Sequence, residues 1–202
     1  MSKGVKFTYD CADAEIARFD QLAELNGYRR KLQERGLMGV DSNGVGFGNV
    51  SIRDGVSKNF YMTGSATGGL PELTATDCVR VVAYDFAMNC LRYEGAAIPS
   101  SESLTHAAIY ESDSSASAVI HCHDLGLWAT LLDCAPTTSK SVAYGTPEMA
   151  YEIMRLFKVG ETRSRKIFAM AGHEAGIVTF GKNLEDAFDV VMRERKESSP
   201  CI

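Results

Sequence analysis

The sequence lacks the features typical of secreted, membrane-spanning and nucleic-acid-binding proteins. Its six cysteines form no CxxC pair and no disulfide-type spacing, so we expect reduced thiols and a cytoplasmic location. It shows no signal peptide and no apolar run near roughly 20 residues, the length of a membrane span. The formal net charge of −5 disfavours nucleic acid as a partner, because phosphate backbones are bound by cationic surfaces. The expected partner is therefore a small molecule.

Internal repeats and long linkers are also absent from the 202 residues. This length suits one α/β or α+β core, so residues 1–202 are predicted to form a single domain. The charged and then small residues from about 194 to 202 are predicted to be a frayed tail.

Apolar periodicity predicts a long amphipathic helix over residues 13–35. Its basic cluster of Arg29, Arg30 and Lys31 is expected on a solvated face. Further along, Thr146 and Pro147 form a strong helix start, and Asn183 is expected to cap a last helix.

Two loops rich in small residues flank a predicted antiparallel hairpin, whose strands lie on either side of Asp54 and Gly55. The first loop carries Gly44, Gly46 and Gly48, and the second spans residues 64–69. Their spacing completes neither a Walker loop nor a dinucleotide fingerprint. Together the loops could donate hydrogen bonds to a phosphate, and two flexible turns are an equally valid interpretation of the sequence alone.

The most informative stretch is an apolar, β-branched run that ends in His121-Cys122-His123. On a strand, alternate side chains leave on the same face, so the two histidines point one way and Cys122 points into the core behind them. Two imidazoles on one face suit two ligands of one metal ion.

His173, at the end of another apolar run, is the plausible third imidazole, although a lone histidine at a strand end is more often structural. Glu102 lies at a serine-rich helix start, where free N–H groups and the helix dipole could also hold an anion. An open three-histidine site with a nearby acid is typical of catalytic metal centres, and zinc is the first expectation.

Six short motifs follow one another along the chain: Gly48-Asn49-Val50-Ser51, Met62-Thr63-Gly64, Pro99-Ser100-Ser101-Glu102, Val119-Ile120-His121-Cys122-His123, Tyr144-Gly145-Thr146 and Gly172-His173. In this order the sequence resembles the class II aldolase/adducin family over most of its length. The resemblance implies a three-layer α/β fold with a central, mainly antiparallel sheet flanked by helices. It also implies a homotetramer.

The resemblance further implies a role for each site residue. His121, His123 and His173 would hold a divalent metal, and Glu102 would act as the base that removes a proton beside the substrate carbonyl. Five positions would bind the phosphate of a small phosphorylated sugar: Asn49, Thr63, Gly64, Ser100 and Ser101.

The implied activity is a metal-dependent lyase that cleaves a phosphorylated ketose by retro-aldol chemistry through a metal-bound enediolate. Dehydration of a ketose phosphate and 4-epimerisation are alternatives that use the same site. A remote alternative is an adducin-like, non-enzymatic interaction module, which the retained histidines disfavour.

Two departures from the family pattern affect these expectations. The segment between His123 and Tyr144 is short and has no counterpart of the family's proton-donating tyrosine, which favours the dehydratase alternative. Glu174 follows His173 and is expected to be either an extra acid beside the metal or a surface carboxylate. His106 shares a helix face with Glu102 and is expected to orient that carboxylate or to pack beneath it.

Overall fold

A computed structural model describes residues 7–16 and 19–198. The strands are β1 (Thr8–Asp13), β2 (Gly39–Val40), β3 (Gly46–Phe47), β4 (Asn49–Arg53), β5 (Phe60–Thr63), β6 (Cys78–Asp85), β7 (Cys90–Glu94), β8 (Ala118–His123), β9 (Ile167–Ala169) and β10 (Gly176–Gly181). The helices are α1 (Leu22–Gln33), α2 (Ser103–Ser112), α3 (Leu125–Cys134), α4 (Pro147–Val159), α5 (Thr162–Arg165) and α6 (Leu184–Glu197), with a 3-10 turn at Ala75–Asp77.

The central feature is an eight-stranded sheet in the order β1-β7-β6-β5-β4-β8-β10-β9. All neighbouring strands run antiparallel except β1 and β7, which are parallel. The small strands β2 and β3 form a separate hairpin. The mainly antiparallel α/β fold expected from the sequence is thus confirmed.

Helices cover both faces of this sheet. One apolar core joins the sheet to α2 and α4, through residues such as Leu104 and Ile153. The other core lies against α1, α3 and α6, through residues such as Leu25, Leu131 and Val191. The predicted three-layer architecture follows, because each amphipathic helix buries its apolar side on the sheet.

The N-terminal region differs from its prediction. Residues expected to start the first helix at Asp13 instead end strand β1, and α1 begins only at Leu22. All six residues of β1 are exposed, so the strand carries no hydrophobic alternation that a sequence pattern could reveal. Arg29 is also buried rather than solvated, whereas Arg30 and Lys31 are exposed as expected.

Capping residues set the helix starts as predicted. Thr146 and Asn183 accept hydrogen bonds from the amides of Met149 and Asp186, three residues further on.

At the C-terminal end α6 continues to Glu197, so residues 194–197, expected in a frayed tail, are helical. Glu194 is buried and its side chain pairs with Arg165. Residues 199–202 lie outside the described part of the chain. No described helix has the length and apolar character needed to cross a membrane.

Strand β8 places the predicted histidines near the middle of the sheet. His121 lies opposite Asn49 of β4 and Val178 of β10, and His123 lies opposite Gly176. Cys122 is fully buried in the core on the opposite face, as the alternation predicts. His121 therefore has a partner strand on each side, and His123 is held by β10 and by its amide, which donates to the carbonyl of Leu37.

Candidate metal centre and substrate cavity

His121, His123 and His173 form one cluster on the sheet face that carries α2. Their ring centroids are 4.8 to 5.0 Å apart. One nitrogen of each ring can be chosen such that all three lie within 4.8 Å of one another. This separation allows three imidazoles to share one metal ion.

A tight turn between β9 and β10 brings His173 to the cluster. The amide of His173 donates to the carbonyl of Met170, and the amide of Gly176 donates to the carbonyl of His173. Within the turn Ala175 has a φ of 63°, which is costly for a residue with a side chain. Gly176 is required, because a Cβ there would lie 2.9 Å from the His173 oxygen.

Glu102, immediately before α2, lies beside this cluster. Its Oε1 is 3.5 Å from Nδ1 of His173, and its side chain is only 3% exposed. Burial by itself raises the pKa of the Glu102 carboxyl, but His173 and the neighbouring His121 outweigh it and bring the pKa to about 2. Glu102 is therefore an ionised carboxylate at neutral pH.

The histidines show the opposite response to burial. Burial lowers the pKa of His121 well below its usual value, and burial with the nearby His173 lowers the pKa of His123 to about 4. Both rings are therefore neutral at pH 7, which is the form that binds metal.

Polar atoms without a partner among the described residues converge at this point. They are both carboxylate oxygens of Glu102, Nε2 of His121, Nε2 of His123 and Nδ1 of His173. Buried polar atoms are normally satisfied, and leaving one unpaired costs about 1–3 kcal/mol. Imidazole nitrogens around one point beside a carboxylate fit a divalent cation, which would satisfy them together.

Asn49 connects the cluster to the helix start. Its amide nitrogen lies 3.3 Å from Nδ1 of His121 and 3.3 Å from Oγ of Ser100. A ring that ligates metal through Nε2 donates its Nδ1–H, so an acceptor must face that nitrogen. The amide oxygen of Asn49 has no hydrogen-bond partner among the described residues, and with the amide turned it would fill this role.

A cavity of about 310 Å³ opens over the histidines and Glu102. Four of the five residues predicted to bind phosphate line it: Asn49, Gly64, Ser100 and Ser101. Thr63 is buried behind the cavity, because its hydroxyl accepts a hydrogen bond from the amide of Val50. The two small-residue loops meet here, since a Cβ on Gly46 would touch the backbone of Ala66 at 3.2 Å.

Two aromatic rings complete the cavity wall, and sequence reasoning gave neither of them this role. Phe47 stacks on His123 with centroids 5.2 Å apart, and Tyr144 stacks on His173 at 4.4 Å. A signal existed in both cases, because Phe47 stands between two glycines of the first loop and Tyr144 precedes the Gly-Thr helix start.

The remaining candidates lie apart from the histidine cluster. His106 is fully buried, and its Nδ1 bonds to Oγ of Ser51 at 2.7 Å rather than to the Glu102 carboxylate. Burial lowers the pKa of His106 to about 3, so its ring is neutral. Glu174 is exposed and does not line the cavity, which matches a surface carboxylate.

The sequence profile described as Class II Aldolase and Adducin N-terminal domain matches residues 24–193. The chain belongs to this family. The match spans α1 through most of α6, so it includes every residue of the cluster and of the cavity described above. No curated protein shows significant sequence similarity to the chain.

Solved structures of the family share the fold. An L-fuculose 1-phosphate aldolase is 24% identical over 91% of this chain and 84% of its own, with a TM-score of 0.66. The enzyme of that name from Thermus thermophilus is 17% identical over 88% of this chain and 90% of its own, with a TM-score of 0.63. A sugar-phosphate aldolase from Thermotoga maritima is 14% identical over 89% and 92%, with a TM-score of 0.65. At these identities the likeness establishes the fold.

The cluster predicts that the purified protein holds one divalent ion per chain. We expect His121→Ala to lose this ion, because removal of one of three imidazoles leaves too few ligands for tight binding. Elemental analysis after dialysis is the measurement. His106→Asn is the matched control: it also removes a buried histidine of this family domain, and we expect full metal content. Equal metal content in both variants would contradict the site.

Proposed function

We propose that this chain is a divalent-metal-dependent aldolase that cleaves a small phosphorylated ketose by retro-aldol chemistry. The observation that supports this most is the buried carboxylate of Glu102 beside three clustered histidines, in a cavity lined by hydroxyl and amide groups. A carboxylate next to a Lewis-acid site suits proton transfer at a carbon beside a carbonyl.

The histidines would hold the metal, and we propose zinc, because imidazole ligands in an open three-ligand set suit it. Such an ion polarises the carbonyl of a bound substrate and so acidifies the neighbouring carbon. With its amide oxygen turned to Nδ1–H of His121, Asn49 would hold that ring in position for this.

Glu102 moves the first proton. In the direction of bond formation its carboxylate removes a proton from the carbon beside the carbonyl, and in cleavage it returns that proton. Its carboxylate is ionised at neutral pH, and its buried oxygens are not occupied by hydrogen bonds from other described residues. Ser100 is fixed beside it, since the amide of Glu102 donates to the serine hydroxyl.

A second proton must move on the oxygen of the aldehyde fragment, and we propose that Tyr144 carries it. Tyr144 lines the cavity, and its ring lies on His173. It would thus reach the substrate from the side of His173. This residue would replace the tyrosine that the short segment after His123 lacks.

The phosphate would lie at the end of the cavity formed by Asn49, Gly64, Ser100 and Ser101. Serine hydroxyls and the start of a helix are effective donors to phosphate oxygens. We also propose that the protein is a cytoplasmic homotetramer, as the family resemblance implies. Its mass in solution by light scattering tests the assembly.

Dehydration or 4-epimerisation of a ketose phosphate is the second candidate. Its support is the short segment after His123, which lacks the family's tyrosine. An adducin-like interaction module would have no use for the ionised carboxylate buried beside three imidazoles, so we place it last.

Hydrogen exchange tests the role of Glu102. We expect the metal-loaded protein to exchange a C3 proton of dihydroxyacetone phosphate with heavy water, followed by NMR. Glu102→Gln should slow exchange by at least about 100-fold, since loss of a general base costs this much. Glu111→Gln, on the exposed part of the same helix, is the control and should exchange normally. Exchange that Glu102→Gln leaves unchanged would contradict the assignment.

Tyr144→Phe keeps the ring on His173 and removes only the hydroxyl. We expect condensation of dihydroxyacetone phosphate with glycolaldehyde to fall by about 100-fold, the usual size of a proton-transfer contribution, while C3 exchange stays within a few-fold of wild type. Tyr151→Phe, on the half-exposed surface of α4, is the control. Undiminished condensation in Tyr144→Phe would exclude the hydroxyl as the proton donor.

A screen of phosphorylated ketoses separates the two candidate reactions. We expect release of an aldehyde, detected by a coupled reductase assay, because the cavity holds both proton-transfer groups that cleavage requires. Water loss or inversion without free aldehyde would instead favour the dehydratase or epimerase alternative.

A further inference from the structure

Arg29 of α1 carries a positive charge into the interior. Its side chain is fully buried. Among the described residues no carboxylate lies within ion-pair distance of it. The acid near enough to affect its pKa is Asp77, whose carboxylate already accepts hydrogen bonds from Thr74. A buried charge without a partner is costly, so its presence calls for a reason.

The hydrogen bonds of Arg29 do not supply that reason. Its Nη2 donates to the carbonyls of Thr67 at 2.7 Å and Leu70 at 3.0 Å, and its Nη1 lies 3.4 Å from Oδ1 of Asn26. Both carbonyls have other donors, because the Leu70 amide donates to Thr67 and the Gln33 side chain donates to Leu70. Neutral groups already satisfy this loop, and Nε of Arg29 has no partner among the described residues.

The loop that Arg29 contacts is one wall of the substrate cavity. Gly64, Ser65, Ala66 and Gly68 line the cavity, and the carbonyl oxygen of Thr67 lies between them and the guanidinium. Because a trans peptide directs its C=O and N–H oppositely, the Gly68 amide points away from Arg29. That amide makes no hydrogen bond within the described part of the chain.

The side chains that line the cavity supply no cation to attract an anion. They include the carboxylates of Asp41 and Glu102, and no lysine or arginine of the described ranges is among them. Away from the metal ion proposed at the three histidines, an anionic group would therefore meet an unfavourable field unless a positive charge lies behind the wall.

We propose that Arg29 supplies this charge: it lies beneath loop 64–70, orients the loop's carbonyls toward itself, and makes the cavity selective for an anionic group such as phosphate. The inference rests on the proposed phosphorylated substrate. Arg29 is a positioning residue, since it acts through the loop and does not touch the ligand.

Binding of inorganic phosphate to the metal-loaded protein, measured by calorimetry at constant ionic strength, tests the proposal. Arg29→Lys keeps the charge, and Arg29→Gln removes it while keeping amide donors. Asn26→Asp keeps Arg29 and places a carboxylate next to its Nη1. Arg53→Gln is the matched control, because Arg53 is also buried and donates to backbone carbonyls, including Ala116 and Tyr110, away from the cavity.

We expect Arg29→Gln and Asn26→Asp each to weaken phosphate binding by at least about tenfold, as loss of a nearby charge in a low-dielectric interior would. Arg29→Lys should stay within about threefold of wild type, and Arg53→Gln within about twofold. A purely structural role would instead make Arg29→Lys as weak as Arg29→Gln, and this result would overturn the proposal.

If Arg29→Gln does not fold, the proposal is tested with Asn26→Asp, because its new carboxylate offsets the charge of the guanidinium without removing Arg29. Unchanged phosphate binding in Asn26→Asp would then overturn the proposal. Wild-type protein that binds no phosphate would overturn the proposed substrate class. If the wild-type protein binds phosphate and the Arg29→Gln and Asn26→Asp variants bind it equally well, only the proposed role of Arg29 would be overturned.

Discussion

Glu102 and the three clustered histidines are buried with polar atoms that no other described residue satisfies. Burial of these unpaired atoms lowers the free energy of unfolding. The arrangement persists because packing on both sides of the sheet holds these side chains in place. The surrounding elements follow from this constraint: β8 and the turn before β10 deliver the imidazoles, and the start of α2 delivers the carboxylate. A divalent ion at this point would turn an unfavourable cluster into a stabilising one.

The two charged groups of the site, Glu102 and Arg29, lie at different distances from the cavity. The carboxylate of Glu102 lies at the cavity base, where it is available as a base. The guanidinium of Arg29 lies behind loop 64–70, which separates it from the cavity. The cavity thus has a negative group in its lining and a positive group behind one of its walls. An ion held by the three imidazoles would keep its full charge, because imidazole ligands carry no negative charge.

Sequence patterns predicted the parts of the fold and site that depend on residues close together in the chain. Strand alternation placed both histidines of β8 on one face, and capping chemistry placed the starts of α4 and α6. The predictions fell short where tertiary packing decides. Strand β1 is exposed throughout and has no alternation, and Thr63 is turned from the cavity by a hydrogen bond to the neighbouring strand. Arg29 was expected in solvent with Arg30 and Lys31, because the sequence does not reveal that loop 64–70 covers it.

Strand β8 also makes the site dependent on exact strand register. Its side chains alternate between the cavity and the core, so a slip of one residue against β4 and β10 would turn His121 and His123 into the apolar layer and bring Cys122 to the cavity. A slip of one residue would thus separate both histidines from His173 and Glu102 at once, so the arrangement of all four side chains depends on the pairing of this one strand.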